Sequence, residues 1–118
     1  MSGPIVYIDD EPMLCRAFGR LSDLHGVAWK TFTGPREGLA FVLANEVKAI
    51  FCDYRMPEMN AIEVLAQIDR EVPFYLVSGD LDAERIAASQ PRITGVLTKP
   101  FRAERLFEMF DAIPSGEP

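Results

Sequence analysis

Runs of lysine or arginine are absent from this chain of 118 residues, and 18 acidic against 12 basic side chains leave a formal charge of −6. Phosphate backbones are held by clustered cations, so this balance argues against direct binding to nucleic acid. Long hydrophobic runs are missing too. The apolar stretches are only a few residues long, far short of the roughly 20 needed to span a bilayer. The N-terminus shows no charged segment leading into an apolar one, as a secretory signal would. Membrane insertion is therefore not expected, and a cytoplasmic location is. Cysteine is scarce: Cys15 and Cys52 show neither CxxC spacing nor a histidine beside them, which argues against a zinc site. Both read as buried free thiols in a reducing compartment. The single histidine, His25, stands before Gly26 and reads as a capping or surface residue at a helix end rather than a catalytic group.

What remains is an ordinary globular composition, with 48% hydrophobic and 25% charged residues at a length suited to one domain. Four apolar runs, Ile5 to Ile8, Ala49 to Cys52, Phe74 to Val77 and Gly95 to Thr98, have the length and β-branched or aromatic content of strands buried on both faces. Val27 to Phe32 alternates and carries Lys30, as an edge strand does. Between these runs lie helical patterns. Leu14, Ala17, Phe18 and Leu21 recur at helical spacing, Ile62, Leu65 and Ile68 do so less completely, and further helices are predicted over 36–45 and 103–113. The stretch from Asp80 to Gln90 is weakly patterned, which predicts a short or mobile helix. Alternating strands and helices with right-handed crossovers make a doubly wound α/β fold, a five-stranded parallel sheet with helices on both faces; its expected strand order is 2-1-3-4-5, that of flavodoxin-like folds. Residues 114–118 read as a polar Pro/Gly tail.

In such sheets ligands bind beyond the carboxyl ends of the strands. The residues at or just after those ends are Asp9, Asp10 and Glu11, then Asp53, Ser78 and Lys99. Helix capping would account for Glu11 before Pro12, but not for two aspartates plus a third on the neighbouring strand. Crowded carboxylates repel by roughly 4 kcal/mol per pair at an effective dielectric near 20, and a hard cation relieves that repulsion. Few carboxylates with open positions describe a site for Mg²⁺ or Mn²⁺. A carboxylate in that setting can attack a phosphoryl group while an ammonium and a metal neutralise the transferring oxygens. Asp53, at the end of the central strand, is the expected nucleophile. Asp9 and Asp10 are expected metal ligands or orienters with Asp53, joined by a backbone carbonyl near Arg55; Lys99 supplies a point charge and Ser78 a hydroxyl.

This pattern resembles the receiver domain of bacterial two-component response regulators. The acidic pair Asp9 and Asp10, the acceptor Asp53 in a DxxMP segment ending at Pro57, Ser78, and Lys99 followed by Pro100 all match. Their spacings of 43, 25 and 21 residues match as well. The resemblance implies a receiver domain over 1–113, a cis Lys99-Pro100 bond, and phosphorylation by a histidine kinase or histidine phosphotransfer protein. It also implies an output partner that the sequence does not name, and no enzymatic activity beyond self-catalysed phosphorylation and dephosphorylation.

Three departures stand out. Ala61 occupies a position where the family usually has glycine and where an unusual backbone dihedral is expected; a residue with a Cβ there predicts that the loop differs locally. The resemblance implies a signalling switch, with a phosphorelay or phosphate-sink receiver as the alternative; Val96, in place of the Tyr or Phe common three residues before the lysine, slightly favours that alternative or an atypical switch. Arg55 and Asp80 occupy the variable positions flanking the acceptor and are placed to form a salt bridge. A flavodoxin-like cofactor binder would need a Gly/Ser/Thr-rich first loop instead of Asp9, Asp10 and Glu11. A metal-dependent phosphatase of the DxD type would need a second carboxylate where Tyr54 and Arg55 stand.

Overall fold

The computed structural model describes residues 2–114; the predicted tail beyond Pro114 lies outside the described residues. The elements run β1 (Ile5–Ile8), α1 (Pro12–Leu24), β2 (Trp29–Phe32), α2 (Pro35–Ala44), β3 (Ala49–Asp53), α3 (Ala61–Ala66), β4 (Phe74–Ser78), α4 (Ala83–Ala88), β5 (Gly95–Thr98) and α5 (Ala103–Ala112). All strand pairs are parallel, as the alternation of elements implied, and the order is the expected β2-β1-β3-β4-β5.

The apolar runs become strands because both faces of the sheet are covered. Val6, Ile8, Ile50, Cys52, Phe74, Leu76 and Val96 point into a core shared with α2, α3 and α4. Ile5, Tyr7, Ala49, Phe51, Tyr75, Val77 and Leu97 point the other way, against α1 and α5. On that second face a row of rings crosses the sheet: Tyr7 stacks on Phe18 at 4.4 Å, Phe18 meets Phe51 at 5.4 Å, and Phe51 stacks on Tyr75 at 4.6 Å. No helix among the described residues is long and apolar enough to cross a membrane. Cys15 and Cys52 are buried free thiols, and burial raises the pKa of both, to about 11 for Cys15.

The structure corrects several boundaries. β2 begins at Trp29 rather than Val27, because the Val27 N–H donates to Ser22 O and closes the end of α1, while pairing with β1 starts at Ile5. α3 stops at Ala66, so Ile68 reaches the core from outside the helix, at 1% exposure. The carbonyls left without helical partners at that end are gathered by Arg92, which donates to Leu65 O at 3.0 Å, Ile68 O at 2.6 Å and Arg70 O at 3.2 Å. α4 is indeed short, at six residues. His25 caps α1 through its backbone N–H, as its place before Gly26 suggested. Its ring stacks on Phe107 at 4.4 Å and its Nε2 lies 2.8 Å from Asp111 Oδ1, tying α1 to α5.

Candidate functional site

The sheet delivers its polar residues to one end. Asp53 is the last residue of β3, the central strand between β1 and β4, and is 4% exposed. Asp9 directly follows β1, where its N–H donates to Phe32 O and extends the pairing with β2; it is fully buried. Ser78 ends β4 opposite Thr98, and its carbonyl accepts from the Lys99 N–H at 2.9 Å. The Lys99-Pro100 bond is cis.

Lys99 reaches back across the strand ends. Its Nζ lies 3.1 Å from Asp9 Oδ2, 3.1 Å from Asp53 Oδ1 and 2.8 Å from Glu11 Oε2. Asp9 is held on both oxygens: the Tyr7 hydroxyl donates to Oδ2 at 2.7 Å and the Glu11 N–H to Oδ1 at 3.0 Å. Asp10 is exposed and opens onto a cavity of about 540 Å³, which Glu11, Asp53, Arg55, Ser78, Gly79, Asp80 and Lys99 also line. Ser78 Oγ accepts from the Asp80 N–H at 2.9 Å, which leaves the hydroxyl proton to be donated elsewhere. Arg55 and Asp80 do form the pair, Nε to Oδ2 at 2.6 Å, bridging the loops after β3 and β4 at the cavity mouth. That contact raises the Arg55 pKa.

The electrostatics follow from this crowding. Burial, and then the charge on Asp9, push the Asp53 carboxyl up to about 7, with Lys99 pulling the other way. Burial opposes the charge on Lys99, but hydrogen bonds to Glu11, Asp9 and Asp53 outweigh it and hold the ammonium above its ordinary pKa. Burial and the bond to Asp9 raise the Tyr7 phenol, so it stays a donor. Asp9, Asp10, Glu11 and Asp53 each offer an oxygen, all within 4.8 Å of one another. One ammonium does not balance four carboxylates, and an all-oxygen donor set with an exposed member suits a hard divalent cation.

The expected set Asp9, Asp10, Asp53, Ser78 and Lys99 thus converges. Two members were not foreseen. Glu11 stands at the N-cap of α1, yet its side chain makes no capping bond and goes to Lys99 instead. Tyr7 read only as a strand residue; the one signal in the sequence was a hydroxyl-bearing ring in a run otherwise built for burial. Ala61 itself takes no left-handed dihedral. Ala61 opens α3 with its N–H on Tyr54 O, Asn60 caps the helix in a capping box with Glu63, and the positive φ of the loop, 76°, falls on Glu58. The left-handed residue sits at the loop tip, before Asn60 has committed the chain to the helix.

The family model for the response regulator receiver domain matches residues 5–111. This chain belongs to that family. Among curated proteins the receiver domain is similar to the transcriptional regulatory protein GlrR of Escherichia coli, with 26% identity over 111 residues covering 91% of this chain and 25% of that protein. It is also similar to the C4-dicarboxylate transport transcriptional regulatory protein DctD of Rhizobium meliloti, with 30% identity over 112 residues covering 91% of this chain and 24% of that protein. The chain therefore spans about a quarter of the length of these relatives. Among solved structures, the response regulator TrrA of Thermotoga maritima in complex with Mg²⁺ and BeF superposes with a TM-score of 0.84 at 19% identity, covering 96% of this chain and 100% of that one. A receiver domain protein from Clostridium thermocellum gives 0.82 at 22%, covering 93% and 92%. At these identities the likeness is one of fold. The family role is that of a phosphoaccepting switch in two-component signalling, and the acidic pocket is consistent with it.

Proposed function

We propose that Asp53 is the phosphoacceptor of this receiver domain. The observation that carries the reading is a buried strand-end carboxylate in contact with the Lys99 ammonium, beside an open Asp10, in a cavity that joins the ends of β1, β3, β4 and β5. In the transfer, a carboxylate oxygen of Asp53 forms a P–O bond as the P–N bond of a phosphohistidine breaks, and the electron pair returns to the donor imidazole. The donor is a histidine kinase or a histidine phosphotransfer protein. Asp10 and Asp53, with the Arg55 carbonyl, would hold Mg²⁺ or Mn²⁺, and Asp9 would orient them. When bound, the cation would neutralise charge on the carboxylates and on the phosphoryl oxygens. Lys99 and Ser78 act directly on the phosphoryl group, as counter-charge and as hydrogen-bond donor. Phosphorylation and its hydrolysis are self-catalysed, and no separate substrate is turned over. A cytoplasmic setting gives access to the phosphodonor.

A relay or sink role is favoured by one observation. Val96 is 6% exposed and packs into the core on the α4 side, with no ring to move in response to Ser78. The test of the main reading is intact-mass measurement after treatment with a small phosphodonor and Mg²⁺. One phosphoryl group is expected on the wild type and none on Asp53→Asn. Equal labelling of the variant, or labelling that survives chelation of the metal, would overturn the assignment.

A further inference from the structure

An ammonium has three N–H donors, and three carboxylates already crowd that of Lys99. Glu11 accepts a hydrogen bond from it at 2.8 Å, and oxygens of Asp9 and Asp53 each lie 3.1 Å away as ion-pair partners. A phosphoryl oxygen arriving at Asp53 finds no free donor on Lys99 unless one partner leaves. Asp9 is badly placed to leave. It is fully buried, is bound on the same oxygen by Tyr7, and would face the cost of an unpaired buried charge. Asp53 is the group being modified. Glu11 differs from both, because its side chain is 57% exposed and water can solvate it when it swings out.

Among the described residues, Lys99 is the one side chain bonded to the Glu11 carboxylate. It makes no capping bond to α1, and its place in the fold is set by its backbone N–H on Asp9 Oδ1. Its charge also opposes a dianion entering the cavity that it lines.

We propose that Glu11 is a displaceable counter-ion. It holds the third donor of Lys99 in the unphosphorylated protein and yields it to a phosphoryl oxygen, so that it competes with phosphorylation. The inference rests on Asp53 being the acceptor, and it makes Glu11 a positioning residue that acts through Lys99.

The experiment uses beryllofluoride with saturating Mg²⁺ as the phosphoryl stand-in, its fluorines taking the places of the phosphoryl oxygens. In the wild type, the Glu11 side-chain carboxyl carbon, followed by NMR, is expected to move on addition of beryllofluoride toward the position of a freely solvated glutamate. Glu11→Gln is expected to bind beryllofluoride about threefold to tenfold more tightly, because a half-exposed ion pair and one like charge are removed. In the metal-free protein the same variant should speed water exchange of the Lys99 ammonium protons. A Glu11 carbon that stays in place would overturn the proposal. So would beryllofluoride affinity that is unchanged or weaker in the variant, or a Mg²⁺ affinity lowered more than about tenfold, which would tie Glu11 to the metal, as a ligand or through one, rather than to Lys99. If the wild type itself fails to bind beryllofluoride, the acceptor assignment of Asp53 falls along with it. If the wild type binds and only the Glu11 arms fail, the acceptor assignment stands.

Discussion

Asp53→Asn should stabilise the fold, and by more at high pH than at low. Burial and the charge of Asp9 raise the folded-state carboxyl of Asp53 from 3.8 to about 7. A raised folded pKa means that between these values the folded protein keeps a proton the unfolded chain has released. The associated stability is fully present below the unfolded pKa and is lost as pH rises through about 7. One pH unit inside the window is worth up to about 1.4 kcal/mol, so the two units from pH 5 to 7 set an upper bound of about 3 kcal/mol. The cavity is open to water on the Asp10 side, which lowers the expected loss to about 2 kcal/mol.

Asparagine carries no charge at either pH and keeps an acceptor oxygen for Lys99. The gap between variant and wild type should therefore widen by about 2 kcal/mol between pH 5 and pH 8, on the order of 8 °C in melting temperature for a domain of this size. Urea and thermal unfolding followed by circular dichroism at both pH values measure it. Adding Mg²⁺ at pH 8 should narrow the gap by lifting the wild type, by about 1.4 to 2.7 kcal/mol at ten to a hundred times its dissociation constant. A gap independent of pH, or a variant less stable than wild type at pH 8, would refute the electrostatic account of the site.

Three further outcomes are expected. The exposed Arg55–Asp80 pair at 2.6 Å spans the mouth of the cavity, so Arg55→Glu and Asp80→Lys should each change the aspartyl-phosphate half-life severalfold; half-lives equal to wild type would leave the pair without a role. With Val96 buried and ringless, beryllofluoride and Mg²⁺ should alter amide exchange mainly over 78–90, where α4 is six residues long; changes centred on β5 with that segment silent would contradict this. Arg92→Ala strips three carbonyls at the end of α3 of their donor and should cost about 1 to 3 kcal/mol in urea unfolding with phosphorylation at Asp53 intact; a loss below about 0.5 kcal/mol would show water to be an equal partner.

Much of this molecule is legible in its residue order, because the signals involved are local. A strand buried on both faces must be apolar at nearly every position, and β1, β3, β4 and β5 read that way without reference to anything else. Once the strands are placed and known to be parallel, their carboxyl ends lie together, so Asp9, Asp10, Asp53, Ser78 and Lys99 could be assembled before any coordinates. Boundaries were less legible where backbone groups had a choice of partner. Val27 alternates like a strand residue but spends its N–H on α1, and Ile68 keeps helical spacing after α3 has ended.

Only the tertiary structure decided which side chains share a donor. Glu11 beside Pro12 has the local chemistry of a helix cap, and nothing within the neighbouring residues says that an ammonium 88 positions away will take its carboxylate. Tyr7 fits a buried strand equally well as phenylalanine would, until Asp9 is seen to need a second donor. Arg92 sits in a loop and finds its three carbonyls 22 to 27 positions earlier in the chain. Local propensity and periodicity report how a residue meets its own element, whereas these contacts depend on where two elements end relative to one another, a quantity set by packing of the whole sheet.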